Sequence, residues 1–443
     1  MVSAEHVRNW ADALEVYFSR RNLFVLLMGV ASGLPLLLTL STLSYWLSKV
    51  GVDKTTIGLF ALVGIPYSFK FAWAPLIDHV RLPILHRALG RRRSWLVFIQ
   101  AFLAAAIFFM GMTNPTVAPL SVAAAAVAVA FFSASQDIVI DAYRIEILRD
   151  EEQGAGAAVT QAGYRIGLVI AGAGAIALSD YVDWPTVFAV LAAVMVVAMV
   201  ATVLAPEPPE PPLAEPAAQS GFEAEAVLAW IKRAAIDPFV DFMRHRGWLI
   251  ILAFVLLYKF GDAIGGVMAN PFYIELGFSG VEIASITKLF GVLATVVGTL
   301  AGGVLVARLG FFKALVIGGI LQAVTNLLFA LLAVSGKDLM MLTVAIGADN
   351  FTGGLGSAAF VAYLSSLCSR AFTATQYALL TSLMAVGRTM LSSGGGWLAD
   401  HMNWASFFVL TTLLAVPGLL LLLWLSRLYP PAAPIRSESV GQA

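Results

Sequence analysis

The sequence predicts an all-α membrane protein whose twelve transmembrane helices form two pseudo-symmetric six-helix bundles. Composition is the first reason. Of 443 residues, 60% are hydrophobic and only 12% charged, against about 45–50% and about 25% in soluble domains. The second is spacing, because apolar runs long enough to cross a hydrocarbon core of about 30 Å recur from Asn22 to Leu428. The third is an internal repeat that relates the two halves of the chain.

The spans fall at roughly 22–47, 55–77, 94–112, 118–142, 156–178 and 185–205, then at 247–270, 281–305, 313–335, 338–366, 373–398 and 403–427. Each is expected to be a helix, since only helices and closed barrels satisfy every backbone group inside lipid. A polar segment carrying Glu5, Arg8, Asp12 and Arg20 precedes the first run, so no signal peptide is expected. An even number of spans puts both ends on one side. Of the 27 Lys and Arg, 19 fall in the ends and loops on that side, including Arg20, Arg21, Arg91, Arg92, Arg93, Arg144 and Arg149. Only Lys49, Lys54 and Lys337 fall in the opposite loops. The positive-inside rule then makes both termini cytoplasmic in a cell inner membrane.

Between the sixth and seventh spans the chain changes character. Six prolines lie between Pro206 and Pro216, which reads as a stiff linker. In the stretch Phe222–Ile236 that follows, Val227, Trp230, Ile231 and Ala234 recur at helical spacing beside Lys232 and Arg233. It reads either as an amphipathic helix on the membrane surface or as a linker helix without lipid contact. The expected organisation is a bundle at 1–205, a cytoplasmic linker at 206–246, and a bundle with a tail at 247–443.

The bundles resemble each other in sequence. Leu178-Ser-Asp-Tyr-Val-Asp-Trp184 before the sixth span mirrors Leu398-Ala-Asp-His-Met-Asn-Trp404 before the twelfth. The same offset carries Ala142-Tyr143 onto Ala362-Tyr363, and Tyr164-Arg165 has a counterpart in Gly387-Arg388 after a short slip. Two parallel halves of six spans joined by a cytoplasmic connector are the layout of major facilitator transporters, which work by alternating access.

Lys70, Asp137, Arg165, Lys259, Asp262, Lys288, Asp349 and Arg388 fall inside the spans, and Asp141 at the end of the fourth. At a lipid-facing centre each costs roughly 2.5–3.5 kcal/mol on insertion scales. Eight such costs exceed a typical net stability of about 5–15 kcal/mol, so these groups must face one another or a hydrated passage. Asp137 and Asp141 are four apart and share a helix face. Lys259 and Asp262 are three apart and suit a local pair. Arg165 and Arg388 sit at related positions near the midplane. Asp349-Asn350 opens Gly353-Gly354-Leu355-Gly356, where a helix is expected to break or pack closely. Lys70, Arg165, Lys259, Lys288 and Arg388, with Gln136, Asn350 and Tyr258, are therefore candidate binders of an anionic or zwitterionic solute. Asp137, Asp141, Asp262 and Asp349 are candidate proton carriers, because burial beside a cation that can swing away raises a carboxylate pKa. The alternative is a set of ion pairs that only lock helices together.

The loop between the second and third spans runs from Asp78 to Gly90-Arg-Arg-Arg93. It resembles the major facilitator signature of an aspartate followed by Gly and clustered Arg, with several residues inserted. In that reading Asp78 and one of Arg91, Arg92 and Arg93 form a cytoplasmic latch. The alternative is that the arginines only set orientation.

Several chemistries have no residues to support them. The single Cys368 rules out an intrachain disulfide and a cysteine metal cluster. His6, His79, His86, His245 and His401 all lie in ends or loops. Runs such as Gly172-Ala-Gly174 and Gly394-Gly-Gly396 read as close-packing surfaces. No phosphate-binding Gly-x4-Gly-Lys-Ser/Thr occurs, so ATP is not expected as the direct energy source, and no nucleophile–base pair suggests an enzyme. Expected partners are a small-molecule solute, protons and membrane lipids. Neither a nucleic acid nor a cofactor beyond a proton gradient is expected, and a monomer is the expected working unit.

A series of motifs carries a closer resemblance. Gly33-Leu-Pro35, Tyr67-Ser-Phe-Lys-Phe71, Ala74-Pro-Leu-Ile-Asp78, Ser133-Ala-Ser-Gln-Asp-Ile-Val139, Gly163-Tyr-Arg165, Tyr258-Lys-Phe-Gly-Asp-Ala263 and Ala374-Thr-Gln-Tyr-Ala378 together resemble the AmpG muropeptide permeases of Gram-negative bacteria. The resemblance runs from about Asn22 to Leu425. It implies proton-driven import of N-acetylglucosaminyl-1,6-anhydro-N-acetylmuramyl peptides from periplasm to cytoplasm. It also implies a role in peptidoglycan recycling and, in some hosts, in β-lactamase induction. Gln136, Asp137, Lys259 and Asp262 are the residues it marks. Asp349-Asn350 stands where Glu-Asn is expected, and the insert after Asp78 is longer than usual. Relatives that import a ferric siderophore or an acyl-CoA, or that act as membrane assembly factors without transport, are the competing readings.

Overall fold

The computed structural model describes residues 15–52, 56–57, 60–209, 236–392 and 394–429. The amphipathic segment expected from Phe222 lies outside the described residues except for Ile236, and the side chain of Lys288 lies outside them too.

Among the described residues the helices follow one another as twelve crossings. The first span is α1 (Arg20–Leu38) and α2 (Ser41–Lys49). The second is irregular: a 3-10 turn at Phe60–Gly64, α3 (Ile65–Phe69), a 3-10 turn at Lys70–Ala72, and α4 (Ala74–His79). Pro66 and Pro75 open α3 and α4, where a missing N–H costs least but cannot extend the preceding turn. The insert after Asp78 folds as α5 (Pro83–Leu89). Next come α6 (Arg91–Met112), α7 (Pro119–Ile147), α8 (Gln153–Val169), which continues through a π turn at Ile170–Gly174, and α9 (Trp184–Leu204).

In the second half, α10 (Asp237–Met243) precedes a seventh span split into α11 (Trp248–Leu257) and α12 (Phe260–Glu275). The eighth is α13 (Gly280–Ala284), a π turn at Ser285–Phe290 that holds the Lys288 backbone, and α14 (Gly291–Leu309). Then follow α15 (Phe311–Ser335), α16 (Leu339–Ser366), α17 (Thr373–Ser392) with α18 (Gly395–His401), and α19 (Trp404–Leu414) with α20 (Val416–Leu428).

Nine crossings among the described residues are long and apolar enough to span a bilayer. The second, tenth and eleventh fall outside that set. Those three carry Lys70, Asp349 and Arg388, while Asp137, Arg165, Lys259 and Asp262 lie in crossings of the apolar set.

Glycines set how closely the crossings approach. A Cβ on Gly33 would run into the Tyr164 carbonyl of α8, and one on Gly167 into the Val30 carbonyl of α1. Those reciprocal contacts form a small-residue seam between the first and fifth spans. In the other half, Gly298 abuts the Phe351 carbonyl and Gly354 the Thr295 carbonyl, joining α14 to α16. The Gly353–Gly356 stretch therefore packs closely, and α16 passes through it unbroken. In the Gly394–Gly396 run only Gly395 packs, against Ile264 of the seventh span, while Gly394 and Gly396 face open space, which narrows the expected packing surface to one residue.

The apolar cores show how the halves meet. Toward one face, a core joins Leu38, Trp46, Ile107 and Phe188, all from the first half. Its counterpart joins Phe272, Ile286, Leu342 and Phe407, all from the second. Toward the face at which the described residues begin and end, the terminal face, each core takes residues from both halves: Ala374 and Ala378 pack among first-half residues, and Ile145 and Ala157 among second-half ones. The bundles are thus closed on each other at the terminal face and separate toward the opposite face.

Candidate functional site

The seam between the bundles gathers the intramembrane charges into two clusters. In the first half, the Asp137 carboxylate on α7 accepts the hydroxyl of Ser32 on α1. Lys70, at the end of the broken second span, acts electrostatically on both Asp137 and Asp141. All three side chains are half-buried. The spacing argument for Asp137 and Asp141 holds, since α7 runs uninterrupted through both.

In the second half, Lys259 and Asp262 form an ion pair at 3.1 Å. The pair bridges the break between α11 and α12, so Asp262 sits in the first turn of α12, where a helix favours a negative charge. Asp349 on α16 accepts the Gln322 amide of α15 at 2.7 Å and lies within the electrostatic reach of Asp262 and Lys259. Gln322 in turn accepts the Thr352 hydroxyl at 3.2 Å. Each half thus sets one lysine between two carboxylates. The charges answer one another, as the insertion cost requires.

Arg165 and Arg388 are both exposed, and both act electrostatically on Tyr164. Since Arg388 belongs to the opposite half, Tyr164 marks a point where the midplane cations of the two bundles converge. Among the described residues no ion pair holds either guanidinium as Asp262 holds Lys259, which leaves donors available to an anion.

Two further candidates spend their hydrogen bonds on helix contacts. The Gln136 amide is fully buried and donates to the Ala31 carbonyl at 2.9 Å, tying α7 to α1. The Tyr258 hydroxyl donates to the Leu315 carbonyl at 2.8 Å, and its ring stacks on Phe360 with centroids 5.2 Å apart. Both bonds join helices, although the buried Gln136 Oε1 has no hydrogen-bond partner and the Tyr258 ring lies 5.9 Å from the Lys259 amine. Asn350 holds α16 to α14, accepting from Thr295 at 2.9 Å and donating to the Ile346 carbonyl at 2.9 Å.

At the terminal face the latch residues assemble. The fully buried Arg92 bonds Glu146 through Nε at 2.8 Å and through Nη2, and Asp78 through Nη2 at 2.8 Å. Arg91 reaches Asp78 at 3.2 Å. Asp78 then crosses to the other half, accepting the Ala374 N–H at 3.3 Å and the Thr375 N–H and hydroxyl at 2.8 Å each. These are first-turn donors of α17, the positive end of that helix. Burial works to raise the Asp78 carboxyl, but the Arg92 and Arg91 guanidiniums outweigh it and hold the group below the usual carboxylate range.

Arg93 does not join the latch. It bonds Glu207 at 3.3 Å and the Val203 and Ala205 carbonyls at 2.9 Å each. The Glu207 carboxylate also accepts the N–H groups of Arg92 at 2.6 Å and Arg93 at 3.1 Å. It caps an α6 N-terminus that three arginines would otherwise make strongly positive. The inserted α5 loops outward and ends at Gly90, whose φ of 82° reverses the chain into α6.

The charge pattern alone did not reveal Ser32, Glu146, Gln322 or Thr375. Their partners lie 27 to 297 residues away.

The family model for the Major Facilitator Superfamily matches residues 23–346 and 257–442. The chain is 41% identical over 413 residues to the anhydromuropeptide permease of Escherichia coli (strain K12), covering 93% of this chain and 80% of that one. It is 35% identical over 405 residues to "Putative transporter AmpG 4" of Rickettsia felis, covering 91% and 96%. In fold it is similar to the human organic anion transporter MFSD10, with a TM-score of 0.64, 17% identity, and 91% and 99% of the chains covered. It is equally similar to the proton:xylose symporter XylE, with a TM-score of 0.64, 14% identity, and 91% and 94% covered.

Proposed function

As the chain belongs to the major facilitator superfamily and, within it, to the anhydromuropeptide permeases, we propose that it imports anhydro-muropeptides from periplasm to cytoplasm by alternating access, driven by protons, in peptidoglycan recycling. The observation that carries this reading is the pair of lysine–carboxylate clusters on a seam that is closed at one face and open at the other. A muropeptide bears several carboxylates and many amides. Arg165 and Arg388 supply cations for the first, and the polar seam supplies partners for the second.

In this reading Asp137 and Asp349 carry the protons. Asp137 lies beside Lys70, which its neutralisation would release to Asp141, and Asp349 lies beside Lys259, which is already paired with Asp262. One proton moving inward across about 150 mV supplies about 3.5 kcal/mol, or roughly a 300-fold gradient for a neutral cargo. Cargo with net negative charge needs more protons.

The basic terminal face is cytoplasmic, both termini lie there, and the membrane is the cell inner membrane, supported by the 19 of 27 Lys and Arg on that side. The conformer is therefore outward-open. Residues 1–205 and 247–443 act as the two moving bundles around the 206–246 linker. The working unit is a monomer in lipid, with no cofactor beyond the proton gradient.

Uptake tests the reading. Cells lacking their own permease and expressing this chain should accumulate labelled anhydro-muropeptide, and an uncoupler should abolish that accumulation. Absence of uptake removes the cargo assignment, and uptake indifferent to the uncoupler removes proton coupling.

A further inference from the structure

Arg144 lies on α7 at the terminal end of the seam, and its side chain is fully buried. Its Nε, Nη1 and Nη2 all lack an acceptor at hydrogen-bonding distance and angle. The Asp141 carboxylate stands 3.8 Å from Nη2, too far for a hydrogen bond. From the opposite half, Tyr377 presents its ring 5.4 Å from Cζ.

Arg92 is the contrast. It is equally buried, yet its Nε and Nη2 bond Glu146 and Asp78. A guanidinium has five donors in a fixed fork, and such groups are rarely left without acceptors inside a packed protein. The closed conformer gives Arg144 only a long ion pair to Asp141 and a weak approach to the Tyr377 side chain, and no bidentate acceptor for its fork. When the halves part at the terminal face, Tyr377 leaves with the second half and the fork is uncovered.

Position adds a direction. Asp137, Asp141 and Arg144 recur at four and three residues on one face of α7, so Arg144 stands about 10 Å nearer the terminal face than Asp137. Arg165 and Arg388 lie deeper, where the bundles converge on Tyr164. An anion leaving those cations toward the terminal face meets Arg144 next.

We propose that Arg144 is a carboxylate-binding site on the exit path, covered in the outward-open conformer and engaged by the peptide carboxylates of the solute when the terminal face opens. The proposal rests on the muropeptide reading above. A bidentate Arg–carboxylate contact is the match for that fork.

The test is exchange in inside-out membrane vesicles, with two probes: an anhydro-muropeptide carrying a tripeptide stem, and the same compound with its carboxyls amidated. Arg144→Gln should raise the half-saturation concentration of the free acid on the terminal side by about tenfold. The amidated probe, and both probes in right-side-out vesicles, should be unaffected. Equal shifts for the two probes, or none for the free acid, overturn the proposal. Should Arg144→Gln not reach the membrane, Arg144→Lys keeps the charge and loses the fork, and the same selective loss for the free acid is expected; its absence overturns the proposal. If the wild-type chain exchanges neither probe, it is the functional reading that fails.

Discussion

The Asp78 carboxylate of the first half accepts both the backbone N–H and the hydroxyl of Thr375 at 2.8 Å, at the opening turn of a helix in the second half. One carboxylate thus spans the seam, held on its own side by Arg91 and Arg92 and aimed at the positive end of α17. In the proposed alternating-access cycle this contact breaks and re-forms, and a latch of this kind would bias the balance between the two conformers.

Asp78→Asn should shift that balance toward opening of the terminal face. Hydrogen bonds to charged groups contribute about 1.5–3 kcal/mol, which corresponds to roughly a ten- to hundredfold change in the conformer ratio. The lone Cys368, which acts electrostatically with both Asp78 and Arg144, reports it. Maleimide labelling of Cys368 from the side of the terminal face should accelerate in Asp78→Asn. An unchanged rate would show that the latch does not control closure.

The pH dependence of closure has a definite sign. The Asp78 pKa is lowered in the folded protein, so its stabilisation is fully present above the ordinary carboxylate value of about 4 and is lost only as pH falls through the lowered value. A spectroscopic distance between the bundles at the terminal face should stay constant from about pH 8 down to about pH 5 when measured without solute. A transition near neutrality that Asp78→Asn removes would contradict this assignment.

Gly33→Ala should lower thermal stability in detergent, because its Cβ would strike the Tyr164 carbonyl and push apart the first and fifth spans. Overpacking of this kind costs about 1–3 kcal/mol. Gly394→Ala, with open space at that position, is the control and should unfold like the wild type. Equal melting of both variants would mean that the α1–α8 seam is not tightly packed in the membrane.

Asp137→Asn and Asp349→Asn should each abolish concentrative uptake while expression and downhill exchange persist, since each removes a titratable site but keeps the hydrogen-bonding shape. Gln322→Leu leaves Asp349 and Thr352 without their shared partner, a loss of about 1–3 kcal/mol, and should impair uptake without abolishing it. Normal accumulation in either aspartate variant takes that residue out of coupling.

The layout was legible because lipid leaves the backbone few choices, so apolar length and repeat spacing translate directly into crossings. Charged residues were legible for the same reason: Lys70, Asp137, Lys259, Asp262 and Asp349 stood out against apolar runs, and they cluster. Neutral polar residues were not. Gln136 and Tyr258 stood beside charges in sequence yet turned toward helix backbones, whereas Gln322 and Ser32, unremarkable in their own spans, bond the carboxylates. The breaks at Lys259 and around Lys70 were also hidden, because a single turn lost inside a span scarcely alters its apolar pattern. Arg93 was grouped with Arg91 and Arg92 by adjacency, but one residue is about 100° around a helix, and it faces Glu207 instead.

Purified protein in liposomes, loaded with an imposed inward proton gradient and labelled anhydro-muropeptide outside, puts the whole account to a direct measurement. Internal label should rise well above the external concentration, and should settle to equality when the gradient is collapsed. Label that never exceeds the external concentration under the gradient would mean that the charged seam does not couple proton entry to solute entry.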